Sequence, residues 1–572
     1  MKLVEALDVV KRTSQRPSEP FTCFLAAGFN LLHLNTFLTA ELSLVFADRN
    51  IRLRSGLYGD LLGNLNRLAT TGADAGIVLL EWADIDARLG LRSSVTWSPA
   101  TCADIVDTVR ERISQIQCAI ERASARIPVV VSFPTLPLPP ASFVPGWQAS
   151  SIETELNTIT QAAWSQIMRQ PQVRILSPQR LDMASPLRAR LNVESELLAG
   201  FPYHLSHASV LANLLAQLTR YPMPKKGLIT DLDDTLWRGI LGEVGVEGIS
   251  WDLDHHTQMH AFYQRFLGAL SSEGVLLAIA SKNEPALVEV ALGRKDLALS
   301  PEAFFPLEVS WGRKSEAVAR ILTAWNVGPD SVVFIDDSPL ELAEVRAAHP
   351  EIECIQFPTK DSSGIYEVVL QLRDLFGKSA ILEEDPIRTQ SIRRSSAMAK
   401  AYKADNSASV GFLEQLEPEI SLNFSKSPVD PRGLELVNKT NQFNLNGKRF
   451  TEAGWLNYLR QPESFLAMAS YKDKFGPLGK IAVIAGREHG NELRVDSWVM
   501  SCRAFSRRIE HTCLQKLFHR FDADVIRFDF GETERNGPIR EFLTELLGRA
   551  PVPGCTISRQ LFESRPQFIQ EP

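Results

Sequence analysis

Asp231 and Asp233 stand one residue apart where an apolar run ends, in Gly227-Leu-Ile-Thr-Asp-Leu-Asp-Asp-Thr-Leu-Trp237. Strand alternation places both on the same side at the point where the strand stops. Neighbouring carboxylates repel, and they are stable together only with a cation or a shared proton. Magnesium suits such a pair, as a hard ion that takes one or two carboxylates plus phosphate oxygens. One carboxylate can attack phosphorus and form an aspartyl-phosphate. The other can carry the proton of the leaving group. Taken alone, the pair is also an acidic turn after a strand, so its partners decide the reading.

Three partners follow in order. The run Val275-Leu-Leu-Ala-Ile-Ala280 ends at Ser281-Lys282-Asn283, where a hydroxyl can hydrogen-bond a phosphoryl oxygen. Lys314 opens the helical pattern Glu316 to Trp325, and a cation there neutralises phosphate beside a helix N-terminus. The run Ser331-Val-Val-Phe-Ile335 ends in Asp336-Asp337, which adds metal ligands. The candidate catalytic pair is therefore Asp231 and Asp233. Thr235, Ser281, Lys282, Asn283 and Lys314 form the candidate phosphate-binding set, and Asp231, Asp233, Asp336 and Asp337 the metal set.

The elements that must position these residues are strands alternating with helices. That pattern predicts a parallel sheet with helical crossovers, which carries ligands at the carboxyl ends of its strands. The chain has 572 residues, 44% hydrophobic and 23% charged, enough for about three or four domains. No apolar run reaches about 18 residues, so no membrane span is expected. Met1-Lys-Leu-Val-Glu-Ala-Leu-Asp lacks a signal-peptide core, and seven scattered cysteines without a CxxC pair point to a reducing, cytoplasmic setting and against structural zinc. The net charge of -7 gives no support for nucleic-acid binding.

The ordered set Asp231-x-Asp233-x-Thr235, Ser281, Lys314 and Asp336-Asp337 resembles the four motifs of the haloacid dehalogenase superfamily of phosphatases and phosphotransferases. The resemblance covers about residues 225 to 378. It implies Asp231 as nucleophile, Asp233 as general acid/base, and Ser281 and Lys314 as phosphoryl holders. It also implies magnesium on Asp231, on the backbone carbonyl of Asp233, and on Asp336 or Asp337.

Expected domains are 1–223, a phosphatase-like core over 224–378, a charged helical connector over 379–415, and 416–572. The first carries strand signals at Phe21 to Gly28, Ala75 to Leu80, Pro128 to Ser132 and Val173 to Leu176, and looks like an SGNH-hydrolase-type α/β fold. Gly28-Phe-Asn30 stands where that fold places its nucleophilic serine, and Asp182 is followed by Met-Ala-Ser, so the late Asp-x-x-His is missing as well and a non-hydrolytic binding or docking role is expected. His204 and His207 are either functional, or cap a helix or sit satisfied in a core. The last domain has strand signals at Ile420 to Phe424, Ile481 to Ile484, Leu493 to Met500 and Val525 to Phe530, with a helix from about Arg507 to Phe521. This succession resembles a GNAT-type α+β acyltransferase fold.

Asp231-Leu-Asp-Asp-Thr-Leu-Trp237 with Gly239 and Gly242-Glu243, Ser281-Lys-Asn283, and Asn438-Lys-Thr-Asn-Gln-Phe-Asn444 with Ser501-Cys-Arg503 together resemble the FkbH-like glyceryl transferase/phosphatases of polyketide biosynthesis. The resemblance implies removal of phosphate from 1,3-bisphosphoglycerate and loading of the glyceryl unit onto the phosphopantetheine thiol of an acyl carrier protein, through a glyceryl thioester on the enzyme. The candidate thiol or thiol-arm set is Cys502, Arg503, Arg507, Arg508, Asn441 and Asn444. Cys502 has cations near it in sequence that favour thiolate, and it equally reads as a small buried hydrophobe. Many members carry Cys before the Ser-Lys-Asn motif, where this chain has Ala280.

Overall fold

Strands buried on both faces read as continuous apolar runs, and such runs set the strand cores of this chain. The structure, a computed structural model, describes all residues except 15–16, 142–143, 221–222, 379–380, 386, 394–417, 475, 502–503, 506, 508 and 565–572. The chain forms two compact units, Met1–Tyr221 with Phe450–Gln461, and Pro222–Arg449 with Pro462–Pro572. No described helix is long and apolar enough to cross a membrane.

The first unit holds five strands: β1 (Pro20–Ala26), β2 (Asn50–Ser55), β3 (Ala75–Val78), β4 (Val129–Val131) and β5 (Val173–Ile175). They pair in parallel in the order β2-β1-β3-β4-β5. Alternation along β1 sends Phe21, Cys23 and Leu25 to one apolar layer and Phe24 and Ala26 to the other. The edge strand β2 escapes the sequence reading because Arg52 and Arg54 interrupt its apolar residues. The helix Glu452–Arg460, remote in sequence, belongs to this unit, and its Ala453 joins the layer of Phe24 and Trp164.

The second unit begins with β6 (Gly227–Thr230), β7 (Leu276–Ser281), β8 (Phe304–Val309), β9 (Val332–Asp336) and β10 (Glu353–Gln356). All are parallel, in the order β10-β9-β6-β7-β8. The expected α/β class with a central parallel sheet is therefore the observed one. The three inner strands β6, β7 and β9 are wholly buried. Leu228, Leu277 and Ile335 face one apolar layer, and Ile229, Ala278 and Phe334 the other. Trp325, at the end of helix Lys314–Trp325, lies over Gly227, where a Cβ would come within 2.3 Å of the indole. Only glycine lets that helix pack so close to the start of β6.

The same unit continues with β11 (Glu419–Asn423), β12 (Phe443–Asn444), β13 (Ser464–Asp473), β14 (Gly476–His489), β15 (Glu492–Met500), β16 (Val525–Phe528) and β17 (Cys555–Ser558). Their order is β11-β13-β14-β15-β16-β17, with β12 on β15. Neighbours are antiparallel except β15 and β16, which run parallel and are joined through helix Ile509–Phe521. β16 pairs with Glu492 to Val495, whereas β12 pairs with Val499 and Met500 farther along the same strand. Of the connector expected over 379–415, residues 381–385 and 387–393 are described, and most of the rest lies outside the described residues.

Candidate active site at the carboxyl ends of the central sheet

β6, β7 and β9 end together, so the residues that follow them meet at one edge of the sheet. Asp231 follows β6 directly, and its N–H donates to Ile335 O of β9 at 2.9 Å. The chain then turns: Leu236 N donates to Leu232 O at 2.8 Å, and Asp234 takes φ +50. Leu232, Leu236 and Trp237 are fully buried and anchor that turn in the core. A short-chain carboxylate such as Asp234 tolerates the left-handed region better than most side chains. Its Oδ1 accepts from Gly239 N at 2.9 Å and meets Arg238 at 3.0 Å.

Asp231, Asp336 and Asp337 each present an oxygen, and these oxygens lie within 4.8 Å of one another. Lys314, first residue of its helix, reaches both Asp336 Oδ2 at 2.6 Å and Asp231 Oδ1 at 3.0 Å. All three of these side chains are at most 7% exposed. Burial works against the ammonium, but the two carboxylates outweigh it and raise the Lys314 pKa. Burial and the Asp231 charge push Asp336 up, against Lys314 and the Ser338 N–H, which hold it down. Burial and the charges of Asp231 and Asp234 push Asp337 up to about 6. Three carboxylates face one ammonium, so the cluster carries excess negative charge in a poorly solvated place. That donor set fits a hard divalent cation.

Asp233 turns away from this cluster. Its Oδ1 accepts from Trp237 Nε1 at 3.0 Å and from Leu241 N at 3.1 Å, and its Oδ2 accepts from Asn283 Nδ2 at 3.0 Å. Burial raises its pKa, against the pull of these donors. Asn283 Nδ2 also lies 3.3 Å from Ser281 Oγ, so the motif after β7 ties the Asp233 carboxylate to the candidate phosphate-binding hydroxyl. Lys282 does not join them; its Nζ donates to Glu341 Oε1 at 2.7 Å. Ser315 donates from N and Oγ to Glu344 on the same helix, Pro339–Ala348. Thr235 is fully buried, its carbonyl faces His260 Nδ1 at 3.0 Å, and its hydroxyl has no hydrogen-bond partner among the described residues. The sequence reading missed Trp237, Glu341 and Glu344 as site-shaping residues. Trp237 had a signal, since an indole so close to two carboxylates offers a donor.

The candidate thiol-arm set is dispersed. Cys502, Arg503 and Arg508 lie outside the described residues. Asn441 is exposed and its Oδ1 accepts from Arg449. Asn444 is buried: its Oδ1 accepts from Asn446 N and Gly447 N, and its Nδ2 donates to Thr440 O. Arg507, also of the candidate set, is turned inward, 3.5 Å from Asp473 Oδ2 and over the Tyr471 ring.

In the first unit, His207 is satisfied in the core. Its Nε2 lies 3.1 Å from Thr135 Oγ1 and its Nδ1 2.9 Å from Ser185 Oγ, and burial lowers its pKa to about 3. His204 precedes helix Leu205–Thr219 without capping it through its side chain. Asn30 Nδ2 donates to Ala199 O at the end of helix Val193–Ala199, and its Oδ1 accepts from Leu32 N nearby in the chain.

No protein-family model matches the chain, and no curated protein matches it. Among solved structures, the chain is similar to a crystal structure of the N-terminal part of the protein BF1531 from Bacteroides fragilis, which contains a phosphatase domain and was complexed with Mg. The TM-score is 0.52 at 19% identity, over 65% of this chain and 99% of that one. A GDSL-like lipase from Parabacteroides merdae aligns over 36% of this chain and 97% of its own, at 11% identity and a TM-score of 0.23, too low to carry an argument. At that identity the likeness to the BF1531 fragment is one of fold.

Proposed function

We propose that the chain is a magnesium-dependent phosphatase and phosphotransferase of the haloacid dehalogenase type. The observation that carries this reading is the joint burial of Asp231, Asp336 and Lys314, with Asp337 beside them, at the ends of adjacent parallel strands. A scaffold has no use for so much unbalanced charge. The Mg reported with the BF1531 phosphatase domain supports the same choice of ion. Magnesium would be held by Asp231, the carbonyl of Asp233 and Asp336 or Asp337, and when bound it supplies charge neutralisation to the phosphoryl group.

Asp231 attacks phosphorus through a carboxylate oxygen, forming the aspartyl ester as the bond to the leaving oxygen breaks. Asp233 gives its proton to that oxygen, then takes one from the water that cleaves the aspartyl ester. Lys314 and Ser281 hold the phosphoryl oxygens. The FkbH-like resemblance directs the reading further: the substrate is 1,3-bisphosphoglycerate, and the glyceryl unit passes to the phosphopantetheine thiol of an acyl carrier protein in the cytoplasm. Its acyl phosphate is already activated toward a thiol, whereas its phosphate monoester is very slow to hydrolyse unaided and needs the Asp231 machinery. The parallel pair β15 and β16, joined by a helix, supports an acyltransferase-like third part.

The test is incubation with Mg2+, 1,3-bisphosphoglycerate and cognate carrier proteins, read by intact mass. A glyceryl shift on a carrier, with phosphate released by the native chain and not by Asp231→Asn, is the expected result. Phosphate release with no carrier adduct would instead leave a small-molecule phosphatase, a reading favoured by the inward positions of Arg507 and Asn444.

A further inference from the structure

Asp233 is held by an unequal set of donors. Oδ1 receives two N–H groups, from the Trp237 indole and the Leu241 backbone, and neither donor can accept a proton in return. Both of its lone pairs are engaged. Among the described residues Oδ2 receives a single N–H, from Asn283, and keeps one position free. Asn283 also reaches Ser281, so Oδ2 is the oxygen on the side of the candidate phosphoryl-binding hydroxyl. Oδ2 is therefore the oxygen of this carboxyl with room for a proton, and Asn283 links it to Ser281.

We propose that Trp237 and the Leu241 N–H are positioning groups that fix the Asp233 carboxyl so that Oδ2 alone exchanges protons with the leaving group and with water. The inference rests on the phosphatase reading above. Trp237 is fully buried and sits four residues after Asp233, and Leu241 is the first residue of helix Leu241–Gly248. The Gly-rich segment after the aspartate pair thus has a chemical task, the delivery of two donors to one oxygen. Without them the carboxyl can rotate about its Cβ–Cγ bond and present either oxygen. Proton delivery then loses its preset geometry, on which general acid catalysis depends.

The test uses the full chain with Mg2+ and two probes, 4-nitrophenyl phosphate and ethyl phosphate. The nitrophenolate leaves as a stable anion and needs little protonation, whereas ethoxide needs the proton. Trp237→Phe keeps the ring and removes the N–H. Its kcat/KM, which reads the step in which the alcohol leaves and not the later cleavage of the aspartyl ester, should fall by about tenfold or more further for ethyl phosphate than for 4-nitrophenyl phosphate. An equal fall for both esters, the outcome of a merely structural role, overturns the proposal, as does no fall. If Trp237→Phe fails to fold, Leu241→Pro makes the same comparison. It removes the other N–H at a first helical position, where proline's fixed φ is tolerated. Absence of Mg2+-dependent turnover of either ester by the native chain overturns the phosphatase reading itself, and the positioning role with it; turnover of both without the split overturns only the positioning role.

Discussion

Lys314 Nζ lies 2.6 Å from Asp336 Oδ2, an ion pair buried at the edge of the central sheet, and the same ammonium meets Asp231 at 3.0 Å. One cation therefore stands between the proposed nucleophile and a proposed metal ligand. Removing it leaves both carboxylates uncompensated out of water, a loss of about 3–5 kcal/mol when one partner of a buried pair is deleted. Lys314→Met should accordingly lower the stability of the metal-free protein by that order. It should cut phosphate release by about a hundredfold or more, since a fixed cation on the phosphoryl group is lost. The same variant should bind Mg2+ at least as tightly as the native chain, because the site becomes more negative. Urea denaturation, turnover and Mg2+ titration read the three effects, and weaker Mg2+ binding by Lys314→Met would contradict the assigned electrostatics.

A pH dependence follows from Asp337 and Asp336, whose carboxyls are raised in the folded protein, Asp337 to about 6. A carboxyl with a raised folded pKa favours folding in its protonated form. Its charged form weakens the fold progressively as pH climbs from the unfolded value through the folded one. Metal-free stability should therefore fall across roughly pH 4 to 7 on account of this cluster. Mg2+ competes with those protons. It should raise Tm clearly near pH 8, with about 2.7 kcal/mol of stabilisation at a hundredfold excess over Kd, and far less near pH 5. Thermal melts with and without Mg2+ at the two pH values check this; an equal Mg2+ effect at both would place the ion elsewhere.

Gly274 shows how the second unit holds its described connector residues. It has φ +80, and a Cβ there would lie 2.1 Å from Asp385 O. Asp385 in turn pairs with Lys378 at 2.9 Å and Arg388 at 2.7 Å, all three mostly buried. Gly274→Ala should combine left-handed strain with a backbone clash and cost more than about 2 kcal/mol. A variant within 0.5 kcal/mol of native, roughly the scatter of neutral surface changes, would mean that the connector can move away.

The inner strands and the residues at their ends were legible because a buried parallel strand is an uninterrupted apolar run, and chemistry begins where the run stops. Asp231, Ser281 and Asp336 are legible for that reason. The edge strands β2, β8 and β10 were not, because half-exposed strands mix Arg, Glu and Gln into their pattern. Side-chain direction was legible only in part. Lys282 neighbours Ser281 in sequence yet turns to Glu341, and Arg507 turns inward to Asp473, because a long cation goes to the nearest buried carboxylate, which spacing along the chain does not reveal. The placement of Glu452–Arg460 in the first unit was also illegible, since its helical pattern says that one face is buried but not by what.

Glu452 Oε1 pairs with Arg174 Nη2, both side chains are nearly buried, and Arg174 also donates to Leu218 O at 3.0 Å. Burial raises the Glu452 pKa, with Arg174 opposing, so the pair is held at a desolvation cost. Trp455 and Phe450 pack edge to face 5.2 Å apart, and Thr451 caps the helix by accepting from Gly454 N. Glu452→Ala should remove the carboxylate from a nearly buried guanidinium, at a cost of about 3–5 kcal/mol. Arg174→Met combined with Glu452→Leu removes both charges while keeping volume, and it should recover most of that loss. Hydrogen exchange over Met1–Tyr221 under increasing urea measures both variants in the unit concerned. If the double variant is as unstable as Glu452→Ala, the helix is held by its apolar face and not by this ion pair.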